Sequence, residues 1–500
     1  MLYDELPAPR VMTLHRQVAE ALQSIYAAEL DQHAAELAHH FAIAAPAGTV
    51  AEAVRYATKA AERALDQLAY EESVRLFTTA LHAHEVQLDA DAETRCELLL
   101  ALGDAQTWAG NMVAARQSFV RAADIARQAG WADRLARAAL GYGGRFVWEP
   151  DNDRNQPLST LLDEALRALP EDSLLRARVL ARSACAAGWF SGGPVEARRQ
   201  LLDTRSREAV ALARRLGDPA TLGWALAARF LIIWGPDHLD EMVALADEII
   251  TVAEQAGAWE EVADGLALRC EIQLTRGEIR QAQADLARHI ALADELKLRS
   301  QSWLAAAHEA ELLLLLGRFT EAEACIDQAL RRGADAHRDE AQKTATLQRL
   351  LLFLERGGFG EGGLEKLRSA LERLEVDRPN HKIHPALLAR LDCELDQERR
   401  AQARLDVLAM DGFQSVPRDY AWLMTITVLA DVAAMVGNPE QVKTLYELLR
   451  PYAALVAGAD HIRFGSVARY LGLLAASLFR LDEAAVFLRD AMEANDRMGA

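Results

Sequence analysis

The segment DQHAAELAHHF, Asp31 to Phe41, carries three histidines and two acidic residues in eleven positions. On an α-helix His33, Glu36 and His40 fall within roughly 60° of one another, because i, i+3 and i+7 share a face. Such a face has the chemistry to offer ligands to zinc or to a di-iron pair. One helix supplies at most two or three ligands, however, and no cysteine or carboxylate motif elsewhere in the chain matches the spacing. Leu37, Phe41 and Ala44 draw a competing apolar stripe with the histidines at its edge. The expectation is a packing or hydrogen-bonding role for these histidines, and no metal.

Other chemistry-bearing patterns are weaker. Gly358-x-Gly360-x-x-Gly363 has the letters of a dinucleotide fingerprint, but it follows a helical leucine run and lacks an acidic ribose partner on a second strand, so it reads as a turn. No G-x-S-x-G occurs, and no serine or cysteine sits in a nucleophile motif. The acidic pairs Glu71–Glu72 and Glu260–Glu261 lie where helices begin, where carboxylates oppose the helix dipole. No catalytic residue and no cofactor are expected. Tryptophans are more suggestive: Trp148, Trp189, Trp224, Trp234 and Trp259 concentrate in the middle third beside Phe146, Phe190 and Phe230. They read either as packing between repeats or as an aromatic pocket for a ligand or peptide. Trp148, Trp189 and Trp234 are the candidates for the second role.

Composition limits what must position these residues. Half of the 500 residues are hydrophobic, and alanine, leucine and arginine dominate, the alphabet of helices. Valine, isoleucine and threonine never gather into alternating runs, and no strand is expected. A formal charge of −19 argues against a nucleic-acid-binding surface. The five cysteines, Cys96, Cys185, Cys270, Cys325 and Cys393, are scattered among apolar residues with no CxxC, as expected for small core residues in a reducing compartment. The start MLYDELPAPR has no apolar h-region, and the longest apolar run, Leu312–Leu316, is too short to span a bilayer. A cytoplasmic protein without membrane contact is expected.

The organisation is a repeat. Gly103 is followed by Ala115, Phe119 and Ala122, with Gly110 between the two helices. The frame recurs as Ala61, Ser73, Phe77, Ala80, then as Ala310, Ala322, Ile326, Ala329 with Gly317 in the turn, and finally as Gly472, Ala484, Leu488, Ala491. Small residues at the first two places let paired helices approach closely, and the bulky residue fills the groove towards the next pair. This is the tetratricopeptide pattern. Second-helix small positions near 73, 115, 197, 240, 282, 322, 362, 442 and 484 give a step of about 41 residues once two double-length gaps are divided. The spacing predicts an all-α superhelical solenoid of about eleven antiparallel helix pairs. Polar or proline-bearing breaks at Trp148–Pro157 and Val376–Pro385 suggest three parts: N-terminal repeats over 1–147, central repeats over 148–375 and C-terminal repeats over 376–500.

The stretches LPAPRVMTLHRQVAEALQSIY and DQHAAELAHHFAIAAPAGTVAEAVRYATKAAERALDQLAYEESVRLFTTAL resemble a junction in STAND-class bacterial signal-transduction ATPases, the LuxR-type and MalT-like regulators and adenylate-cyclase-associated ATPases. In that family an ATPase and winged-helix segment gives way there to a tetratricopeptide-like superhelix. The segment from Tyr446 to Ala500 is similar to the late repeats of the same proteins. The resemblance covers roughly residues 1–130 and 418–500 and is only architectural between them. It implies a sensor module that binds a protein partner or a small inducer and restrains an ATPase. The P-loop G-x-x-x-x-G-K-[ST] and the helix-turn-helix of that family are both absent from this chain. The alternative is a stand-alone helical-repeat scaffold for partner peptides. Oligomeric state is not legible in the sequence.

Overall fold

A computed structural model describes residues 6–87, 91–144, 156–186, 195–334, 338–357, 361–379 and 381–499. The chain divides into two compact units, Met1–Leu216 and Gly217–Ala500.

Among its described residues the first unit holds ten α-helices: α1 Ala8–Ile25, α2 Ala34–Ala44, α3 Val50–Asp66, α4 Tyr70–Glu85, α5 Ala92–Trp108, α6 Met112–Ala129, α7 Ala132–Gly143, α8 Gln156–Ala168, α9 Leu174–Ala186 and α10 Val195–Leu216. Each packs on its neighbours in sequence, and short turns between packed helices make them antiparallel. The frame around Gly103 takes the place its sequence assigned. Ala115, Phe119 and Ala122 are buried, and the Phe119 ring lies so close to Gly103 that a β-carbon there would come within 2.7 Å of it. The same ring atoms press on Gly141 of α7, where a β-carbon would meet them at 2.3 Å. One phenylalanine thus locks a pair to its successor.

The second unit comprises α11 Pro219–Ile233, α12 Leu239–Ala256, α13 Trp259–Arg276, α14 Ile279–Glu295, α15 Arg299–Leu315, α16 Phe319–Arg332, α17 Arg338–Arg356, α18 Glu361–Asp377, α19 Ile383–Glu394, α20 Glu398–Ala409, α21 Trp422–Val436 and α22 Pro439–Leu449. The strands β1 Val456–Ala459 and β2 Ile462–Ser466 follow, then α23 Val467–Ser477 and α24 Leu481–Met498. Among the described residues the fold is an all-α helical-repeat solenoid of twelve consecutive pairs, against about eleven expected. The frame closes again at Gly472, where a β-carbon would sit 2.7 Å from Leu488. The left-handed Gly317, at φ +69°, makes the turn between α15 and α16.

Register differs from expectation in α12. The fourth residue of the second helix is the close-packing position, which puts Met242 in the core of α12, whereas Asp240 is fully exposed. The long gap before 442 is filled by α20, whose fourth residue Ala401 is buried.

The larger difference is the antiparallel hairpin β1–β2, which the sequence reading did not include. Its strands are four and five residues long, too short for alternation to stand out from helical flanks. It packs against α13, α15, α17, α21, α23 and α24. That explains why first helices of several pairs carry polar residues that never reach solvent: Glu271 on α13, His308 and Glu311 on α15, Lys343 and Gln348 on α17.

Candidate functional site

The hairpin turns on two residues, Asp460 and His461, with φ of +52° and +62°. Two consecutive left-handed residues are the geometry of a type I′ turn, which glycine and asparagine satisfy at least cost. Non-glycine residues there cost of order 1 kcal/mol or more each and persist where the surroundings over-determine them. His461 is buried and Asp460 partly buried in polar clusters that supply that constraint. Gly458 leaves room for the chain to return: a β-carbon there would lie 2.2 Å from the Arg463 side chain. Gln348 pins the turn, its Nε2 donating to the His461 carbonyl at 2.9 Å and to the Ala307 carbonyl at 2.8 Å.

The first cluster joins α13, α15 and the hairpin. Glu271 Oε1 lies 3.0 Å from His308 Nε2 and 3.5 Å from His461 Nδ1, while its Oε2 meets Arg463 Nη2. Arg463 Nε donates to Glu311 Oε1 at 2.8 Å, and its remaining donors reach Thr275 Oγ1 and the Glu271 carbonyl. Glu311 Oε2 is buried with no hydrogen-bond partner among the described residues. One atom from each of Glu271, His308, Glu311 and His461 falls within 4.8 Å of all the others. Burial, reinforced by the Glu271 charge, pushes the Glu311 carboxyl up to about 7. Burial also opposes ionisation of Glu271, but Arg463 and the two histidines outweigh it and keep that carboxyl well below its usual range. Burial pushes His308 down to about 4.

A second cluster surrounds Asp460. Lys343 Nζ lies 3.2 Å from its Oδ1, and the Tyr420 hydroxyl donates to the same carboxylate at 3.1 Å. Lys343 is shared with Glu340 at 2.8 Å, and Arg378 closes on Glu340 from α18's end. Burial disfavours the Asp460 charge, but Lys343, His381 and Arg378 together hold its carboxyl well below the usual range. His384 stacks on His381, with ring centroids 5.7 Å apart.

Of the three tryptophans proposed to bind a partner, Trp148 and Trp189 lie outside the described residues. Trp234 ends α11, half-buried, its ring 5.6 Å from Phe230 and 5.6 Å from Tyr420. It therefore stands one residue away from the Asp460 cluster. The opening histidines separate: His33 stacks on Tyr26 at 3.5 Å and lies 3.5 Å from Glu36, whereas His40 Nδ1 pairs with His15 Nδ1 at 2.8 Å. The face they share on paper is divided between two neighbours. The five cysteines are free thiols.

The buried residues that the sequence reading missed had one faint signal, His308-x-x-Glu311 on one helix face. Glu271 and His461 join it only through folding.

No family model matches the sequence, and no curated protein matches it. Among solved structures, the crystal structure of yeast Tom70 aligns with 89% of this chain and 91% of its own at 13% identity and a TM-score of 0.37. No described helix is long and apolar enough to cross a membrane.

Proposed function

We propose that this chain is a non-enzymatic helical-repeat interaction module, which receives a protein partner or small inducer for a STAND-type signalling ATPase. One observation carries the interaction reading. The first helices of successive pairs in the second unit already hold an extended piece of polypeptide, the 456–466 hairpin, by side chains from α13, α15 and α17, joined by Tyr420 just before α21. Gripping an extended chain in this way is what peptide-binding repeats do with a partner. The ATPase context is supported by the sequence resemblance of residues 1–130 and 418–500.

The test uses the purified chain and a P-loop ATPase module of the STAND class from the same genome. Binding of the two with suppression of ATP turnover is the expected result. A complex without any change in turnover would favour the scaffold alternative, and absence of a complex together with turnover by the chain itself would overturn the reading.

A further inference from the structure

We propose that Glu271, His308, Glu311 and His461 form a binding site for one divalent transition-metal ion of the zinc class, which staples the hairpin tip to α13 and α15. The inference goes beyond the interaction reading and stands independently of it. Four facts support it together. The donor set, two imidazoles and two carboxylates, is what borderline ions such as zinc, manganese and iron(II) take. One donor atom from each side chain already lies within 4.8 Å of the other three. Bonds of about 2.0–2.2 Å in a tetrahedron place ligand atoms about 3.5 Å apart. The Glu271 contacts to His308 at 3.0 Å and to His461 at 3.5 Å are near that spacing, so closure asks for about one ångström of movement in the remaining pairs.

The third fact is the idle oxygen. Glu311 is wholly buried, and its Oε2 has no hydrogen-bond partner among the described residues. A buried carboxylate oxygen left without a donor is costly, and a cation is the ligand that relieves it. The fourth is Arg463. Its guanidinium takes one oxygen of each glutamate, Oε2 of Glu271 and Oε1 of Glu311, and leaves the other oxygen of each for an ion. One arginine also balances only one of the two carboxylate charges. Arg463 is thus a positioning residue that orients both carboxylates, as outer hydrogen-bonding groups do around metal ligands.

The histidine group of the first unit, His15 with His39 and His40, offers an internal control. Its rings lie 4.9–5.7 Å apart by centroid, and among the described residues no carboxylate joins them at ligand spacing. Zinc attached through those residues would survive changes in the second unit.

The experiment is titration of chelator-treated protein with zinc chloride by calorimetry, with metal content after dialysis read by mass spectrometry. One equivalent with a micromolar or tighter dissociation constant is expected, together with proton release. Glu311→Gln, which keeps the Oε1 contact to Arg463, should weaken binding at least tenfold, and His40→Ala should leave it unchanged. Circular dichroism verifies that each variant folds. If Glu311→Gln does not fold, cobalt(II) bound to the wild type decides: the strong visible bands of a four-coordinate N/O site support the proposal, and the weak bands of a hydrated octahedral ion overturn it. Absence of saturable uptake, or uptake lost in His40→Ala and retained in Glu311→Gln, would also overturn it.

Discussion

Arg463 Nε donates to Glu311 Oε1 at 2.8 Å, and both side chains are sealed from solvent. Removing the guanidinium alone would leave two buried carboxylates facing each other. Arg463→Met, measured by urea unfolding of chelator-treated protein, is expected to lose about 3–5 kcal/mol. Pairing it with Glu311→Leu should recover part of that loss, since the second change removes the orphaned charge. A cost below about 1 kcal/mol for the single variant would show that the cluster is open to water.

The contact of Phe119 with Gly103 and Gly141 sets a packing prediction. Gly103→Ala forces a methyl into the ring and is expected to cost about 1–3 kcal/mol. In the double variant Gly103→Ala with Phe119→Leu the penalty should fall below the sum of the singles, because the smaller side chain makes room. Additive thermal shifts in the three proteins would mean that the ring does not meet α5 as described.

His384 gives a pH prediction. Burial holds its imidazole down to about 4, with Asp460, Lys343, Arg378, Glu340 and His381 as the charged or titrating groups around it. Between pH 4 and the unfolded value near 6.5, the unfolded chain binds a proton that the folded chain refuses. The contribution of His384 to stability is therefore complete above pH 6.5 and falls by up to about 3 kcal/mol as pH drops to 4. His381, pushed down to about 3, acts in the same sense. Asp419 and Glu311, both pushed up to about 7, act in the opposite sense across the same window. The informative comparison is thus between proteins. His384→Leu should gain stability relative to the parent at pH 5 and gain less at pH 7.5. An equal difference at both pH values would sink the assignment.

Nucleotide binding is expected to be absent. Holding a triphosphate takes converging backbone amides, a positioned lysine and a hydroxyl for magnesium. None of the six lysines follows a glycine loop, and Lys343 is engaged with Glu340 and Asp460. Calorimetric titration with magnesium-ATP should show no affinity tighter than about millimolar, a free energy of about −4 kcal/mol. A saturable micromolar isotherm would contradict this.

The sequence by itself determined the helix pairs. Gly103, Ala115, Phe119 and their counterparts act within some twenty residues of chain, and close packing between neighbouring helices imposes a period that survives variation at single positions. Where that local rule is satisfied by a different side chain, as with Met242 in place of a small residue, the letter pattern misled by two positions while the helix itself stayed. Tertiary structure alone decided the candidate site. Glu271 and Arg463 are 192 residues apart in the chain, and no period relates them. In isolation IRFGS is a short apolar-polar run and His308-x-x-Glu311 an ordinary helix face. Only docking of the hairpin takes these polar groups out of water, and that desolvation gives their charges, and the idle oxygen of Glu311, their chemical meaning.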